Sequence, residues 1–116
     1  MPHPSDIDAL IRQLIVFRDE RDCAQFHDAK NLALALSIEA AEFNELFLWK
    51  NSETDIARID REKLSDELAD VLSFALLLAD CLQLDPKFIV EAKIAKNAEK
   101  YPADKVKGSA KKYTEY

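Results

Sequence analysis

Apolar positions recur at helical spacing along most of the chain. Ile7, Leu10, Ile11 and Leu14 mark one face of a first helix that opens at Pro4-Ser5-Asp6, with Ser5 as its cap and Asp8 placed as in a capping box. That helix is predicted to end near Arg21. The stretch from Asp22 to Lys30 loses the period around Phe26 and His27 and reads as a connecting loop. A second helix is predicted from about Asn31 to Lys50, with Leu32, Ala35, Leu36, Phe43 and Leu46 as its apolar stripe. Turn-forming residues fill 51–60, with room for a short helical turn. A third helix follows from about Arg61 to Leu82, carrying Leu64, Val71, Phe74, Leu78 and Leu82 on one side. Asp85-Pro86 supplies a cap and a first-turn proline for a fourth, which Tyr101-Pro102 ends. Four helices with short connections predict an all-α, antiparallel four-helix bundle. The apolar stripe covers so much of the two central helices that subunit pairing is expected as well.

Two of these stripes contain charges that do not belong there. At ~100° per residue, Glu39 and Glu42 fall within the stripe of the second helix, while Ser37, Asn44 and Glu45 use an ordinary polar face. Glu67 and Asp70 repeat the anomaly on the third helix, inside the arc of Leu64, Val71, Phe74 and Leu78. Burying ionised carboxylates without partners costs several kcal/mol each, and clustering them adds repulsion. No Lys or Arg lies on either stripe between the pairs, so a cation from outside the chain is the expected remedy. The other reading is that some of the acids lie at a bundle edge and touch solvent.

The donor types rank the metals. Zinc would favour His and Cys at ligand spacing, and a di-iron bundle would need Glu-x-x-His pairs. His3 and His27 are the only histidines, and Cys23 and Cys81, read as free thiols, lack ligand spacing. Mg²⁺ or Mn²⁺ remains, and Mg²⁺ commonly completes its coordination with water and substrate phosphate.

Composition narrows the setting. A length of 116 residues, with 48% hydrophobic and 33% charged residues and one glycine, fits a single helical domain over 1–116 with flexible ends at 1–4 and 114–116. No run reaches the ~18 apolar residues of a membrane span, and no signal peptide opens the chain, so a cytoplasmic protein is expected. Residues 1–92 hold nine Lys and Arg against nineteen Asp and Glu, a balance of −10, whereas residues 93–113 hold seven Lys against two acids, or +5. The acidic body disfavours long nucleic acid. A basic segment beside it suits a small phosphorylated ligand. Lys93, Asn97 and Lys100 share a narrow arc of the fourth helix, with Tyr101 at its edge, as candidates for holding phosphates or as a solvated face. Trp49 is a candidate for stacking on a base or for core or interface packing; His27 reads more readily as a local hydrogen-bonding residue.

"SIEAAE" followed after 24 residues by "ELAD" resembles the E-x-x-E…E-x-x-D motif of MazG-like nucleotide pyrophosphohydrolases. "FRDERDCAQFHDAKNLALAL", "ELFLWK", "KIAKNAEKYP" and "KKYTEY" resemble stretches of the dCTP pyrophosphatase branch, so the likeness spans nearly the whole chain. The resemblance implies an all-α oligomer, commonly a dimer of dimers. It implies hydrolysis of a nucleoside triphosphate to the monophosphate and pyrophosphate, with Mg²⁺ held by Glu39, Glu42, Glu67 and Asp70 and water as nucleophile. Lys93, Asn97, Lys100 and Tyr101 become expected phosphate and sugar contacts, His27 and Trp49 neighbours of the base, and Lys112 and Tyr113 a segment closing over the site. Cys23 stands where relatives often carry Trp, removing a flat stacking surface, and Ala95 where they often carry Asp. Deoxycytidine nucleotides or modified forms are the expected substrates, with nucleotide-pool clearance as the role. The competing readings are a non-catalytic helical interaction module and a related enzyme acting on dUTP.

Overall fold

The computed structural model describes residues 5–106, and among them the chain forms six α-helices, one 3-10 turn and no strand. The all-α expectation therefore holds. Two compact units divide the chain, one up to Gln83 and one from Leu84 onward. The first contains α1 (Asp6–Glu20), the 3-10 turn Ala24–Phe26, α2 (Ala29–Glu45), α3 (Glu53–Ala57) and α4 (Arg61–Cys81). The second contains α5 (Pro86–Lys100) and α6 (Ala103–Val106).

Short polar side chains set the helix starts by taking up N–H groups that have no partner in the first turn. Ser5 Oγ accepts the Asp8 N–H at 3.1 Å and Asp8 Oδ2 accepts the Ser5 N–H at 3.3 Å, completing the expected capping box. Asp28 Oδ1 accepts the Asn31 N–H at 2.7 Å, which starts α2 two residues before the periodicity suggests. Asp60 and Asp85 cap α4 and α5 in the same way, at 3.0 Å to the N–H groups of Glu62 and Lys87.

The end of α2 departs from expectation. The helix stops at Glu45 rather than Lys50 because the backbone tightens there: the N–H groups of Leu46, Phe47 and Leu48 bond to carbonyls three residues back, at 3.1, 3.0 and 3.2 Å. Trp49 then adopts φ 65°, a left-handed conformation that no α-helix continues through. Apolar spacing persists through "ELFLWK", so the sequence pattern carries no trace of this exit.

In the first unit α4 is the central element, packing chiefly against α2 and also against α1. Leu32 of α2, Leu77 of α4, Ile11 of α1 and Ile59 are its buried apolar side chains. Leu82, expected on the buried side, caps α4 and is exposed. Phe17, Phe26, Leu34 and Leu72 are exposed in this unit, as are Phe88, Val90 and Ile94 in the second. No described helix is long and apolar enough to cross a membrane.

Leu32 is 1% exposed, the most completely buried large side chain among the described residues. Replacing it with alanine is expected to lower unfolding free energy by about 2–5 kcal/mol in equilibrium urea denaturation, because both transfer energy and cavity cost are lost. A loss below about 1 kcal/mol would show that α2 does not depend on this contact.

Candidate functional site

Glu39 sits midway along α2, and Glu67 and Asp70 lie three residues apart on α4, a separation that places both on one helix face. The packing of α2 on α4 brings the three together: one carboxylate oxygen from each lies within 4.8 Å of the others. Three of the four expected acids therefore converge. Glu42 is exposed, yet it stays close enough to Glu39 to share a hydrogen bond with it. Asp70 is exposed as well, while Glu39 and Glu67 are half-buried, so the inward orientation expected for all four holds for two. The helix period cannot separate these cases, since the face of a residue and its depth below the surface are different quantities.

The electrostatics of the cluster are unfavourable as it stands. Oε2 of Glu39 and Oε2 of Glu67 are buried without a hydrogen-bond partner, and among the described residues of the first unit no Lys or Arg forms an ion pair with any of the four acids. Desolvation raises the Glu39 pKa above its ordinary 4.5, and the charge and hydrogen bond of Glu42 and the charges of Asp70 and Glu67 raise it further. A carboxyl oxygen that is buried and unpartnered costs free energy that a hard divalent cation would offset. An all-oxygen donor set fits Mg²⁺ or Mn²⁺ and not a soft metal.

Asp70 belongs to a second feature. It lines a cavity of about 410 Å³ together with Arg18 of α1, Cys23, His27 and Phe74 of α4, so the cavity opens beside the acid cluster. His27 is half-buried, its ring edge-on to Phe74 at 6.2 Å between centroids, and its Nδ1 is buried with no partner. Burial lowers the His27 pKa below its ordinary 6.5, and the Arg18 charge lowers it further, so the imidazole is neutral at neutral pH. Cys81 Sγ approaches the His27 carbonyl at 3.9 Å. Cys23 and Cys81 are both free thiols, as expected.

The remaining predicted residues are placed differently. Trp49 is 88% exposed on the turn after α2 and does not line this cavity. Lys93, Asn97 and Lys100 are exposed on α5 at positions that share one face, and the Tyr101 N–H bonds the Asn97 carbonyl at 2.7 Å where α5 ends. Lys112 and Tyr113 lie outside the described residues. Arg18 is the residue the pattern leaves unread. It follows Ile11 and Leu14 at helical spacing, so a charge inside the apolar stripe of α1 was the available signal, of the same kind as the acid pairs.

A family model described as "MazG-like family" matches residues 34–116. The chain is 39% identical over 103 residues to dCTP pyrophosphatase 1 of Homo sapiens and to that of Bos taurus, covering 85% of this chain and 61% of each relative. It thus spans less than two thirds of the length of these relatives. The crystal structure of a pyrophosphatase from Archaeoglobus fulgidus is similar at a TM-score of 0.80 with 35% identity, covering 88% of this chain and 97% of that one.

The elevated Glu39 pKa has a stability consequence in the metal-free protein. Below 4.5 the carboxyl is protonated in folded and unfolded chains alike; as pH climbs through 4.5 toward the higher folded value, the unfolded chain ionises first and stability falls. Between about pH 4 and pH 7 in the presence of chelator, chemical denaturation is expected to show Glu39→Gln gaining on the wild-type chain as pH rises. A constant difference across that window would mean that Glu39 ionises normally.

Proposed function

Because this chain belongs to the MazG-like family, we propose that it hydrolyses a nucleoside triphosphate to the monophosphate and pyrophosphate, with deoxycytidine triphosphate or a modified form as its substrate and nucleotide-pool clearance as its role. One observation carries the reading: the two E-x-x-E/D pairs deliver three carboxylates to within 4.8 Å, with two buried oxygens left unpartnered. The names of the relatives, dCTP pyrophosphatase and pyrophosphatase, support the reaction class and the base.

In this proposal Glu39, Glu67 and Asp70, with Glu42 beside them, hold Mg²⁺ or Mn²⁺. When bound, the ion neutralises the triphosphate charge and acidifies water. Water adds across the α–β anhydride: its oxygen bonds to phosphorus, the bridging P–O bond breaks, and pyrophosphate leaves. A glutamate of the cluster takes the proton of the attacking water. Lys93, Asn97, Lys100 and Tyr101 are the proposed phosphate and sugar contacts, and His27 and Trp49 the proposed neighbours of the base.

The chain acts as one domain in a four-helix bundle and works as a homo-oligomer, a dimer or dimer of dimers, in the cytoplasm. Support for assembly comes from the side chains left bare: Leu34 and Leu72 of the first unit and Phe88 and Ile94 of the second expose more than half their area. Large apolar side chains left this exposed are the material of subunit contacts.

A panel of canonical and 5-modified dNTPs, with dUTP included and products resolved into pyrophosphate and single phosphate, tests the reading. Pyrophosphate release that requires Mg²⁺ is expected, and Glu39→Gln or Asp70→Asn should lower kcat/KM by about 100-fold or more. Both variants should also lose the thermal stabilisation that Mg²⁺ gives the wild-type chain. Indifference of the wild-type chain to both Mg²⁺ and nucleotides would point to an interaction module instead. Light scattering is expected to return a dimer or tetramer mass, and a monomer would remove the assembly.

A further inference from the structure

The cavity beside the acid cluster contains a cation that the proposed chemistry does not use. Arg18 stands in the last turn of α1 with its side chain only 17% exposed, and it lines the cavity together with the apolar walls of Leu14, Phe74 and Leu77. Its Nε bonds Asp19 Oδ1 at 3.3 Å, a contact on the exposed side of the helix. Among the described residues its two Nη nitrogens have no partner. A guanidinium held against apolar walls leaves donors that a ligand must satisfy, and its planar fork matches two adjacent acceptors.

The other polar groups of the cavity are acceptors. Ser73 commits its hydroxyl hydrogen to the Ala69 carbonyl at 2.7 Å, so its oxygen offers lone pairs to the cavity. His27 lines the same cavity with a buried, unpartnered Nδ1, and a neutral imidazole has one accepting nitrogen. The cavity thus joins apolar walls, the unpartnered Arg18 donors and the accepting atoms of Ser73 and His27. Cytosine presents the complement: O2 and N3 accept side by side, and the N4 amino group donates. Uracil and thymine carry N–H at position 3, which would meet the Arg18 donors head-on.

We propose that Arg18 is a specificity-determining residue that donates to the O2 and N3 edge of a cytosine base held in this cavity, and so selects cytosine over uracil and thymine nucleotides. The proposal rests on the reading of the acid cluster as a triphosphate site, because Asp70 is shared between cluster and cavity. C5 lies across the ring from the edge that Arg18 reads, so a 5-substituent leaves this contact intact. A phosphate contact is the other use of a free guanidinium, but the apolar walls favour a ring over a phosphate.

The test compares kcat/KM for dCTP and dUTP in the wild-type chain, Arg18→Ala and Arg18→Gln. A ratio of two substrates on one preparation is unaffected by the fraction of protein that folds. The ratio is expected to fall about 10- to 100-fold in Arg18→Ala, the worth of one good bidentate contact to a base, and by less in Arg18→Gln, which keeps one donor group. Equal losses on both substrates would assign Arg18 to phosphate or to structure and overturn the proposal. If the wild-type chain hydrolyses no nucleotide, the enzymatic reading fails on its own account, and calorimetric titration with dCMP and dUMP still decides the role of Arg18. Preferential dCMP binding that Arg18→Ala abolishes supports it; equal binding, or none, overturns it.

Discussion

Like charges forced together between packed helices are the constraint on which the rest of this molecule depends. Glu39, Glu67 and Asp70 place oxygens within 4.8 Å of one another, and two of the buried oxygens have nothing to bond. In bulk water such a cluster would be tolerable, but partial burial weakens solvation just where repulsion is strongest. The raised Glu39 pKa is the visible result. A chain that keeps this arrangement does so at the expense of stability, as sites built to bind a charged partner commonly do.

The helices hold the cluster without needing long-range loops. Glu67 and Asp70 share a face of α4 by spacing alone, and α2 supplies Glu39 because Leu32 and Leu77 anchor the two helices in the unit where they pack. Caps at Asp28 and Asp60 set where each helix begins, and so fix the rotation at which its carboxylates emerge. Few large apolar side chains are fully buried, and many are bare. A small set of well-buried contacts positions the acids, and the exposed apolar area is the material for the proposed oligomer.

The cavity adds a second, differently charged neighbourhood to the same helix. Arg18 of α1, Ser73 of α4 and His27 line a space that Asp70 also borders, so a cation and hydrogen-bonding groups stand beside the carboxylates. Arg18 contributes to keeping His27 neutral, and the burial of His27 contributes more. A neutral imidazole and a fixed guanidinium differ in what they read: one can accept, the other only donates. That division suits recognition of a planar ring next to hydrolysis of a charged chain, the two tasks proposed for this site.

Sequence by itself determined the helices, their caps and the carboxylate pairs, because each depends on residues within one or two turns of one another. Ser5 with Asp8, Asp85 with Pro86, and Glu67 with Asp70 are local relations that a helical period makes legible. It did not reveal the early exit of α2, where apolar spacing runs on through a left-handed Trp49. Nor did it separate Glu39 from Glu42, since both lie on the stripe and only the depth of the α4 contact leaves one half-buried and the other exposed. The meeting of Glu39 with Glu67, and of Arg18 with His27, was decided by tertiary structure alone. Periodicity assigns a residue to a face of its own helix, whereas the rotation and approach of neighbouring helices choose which faces meet and which side chains come within bonding reach.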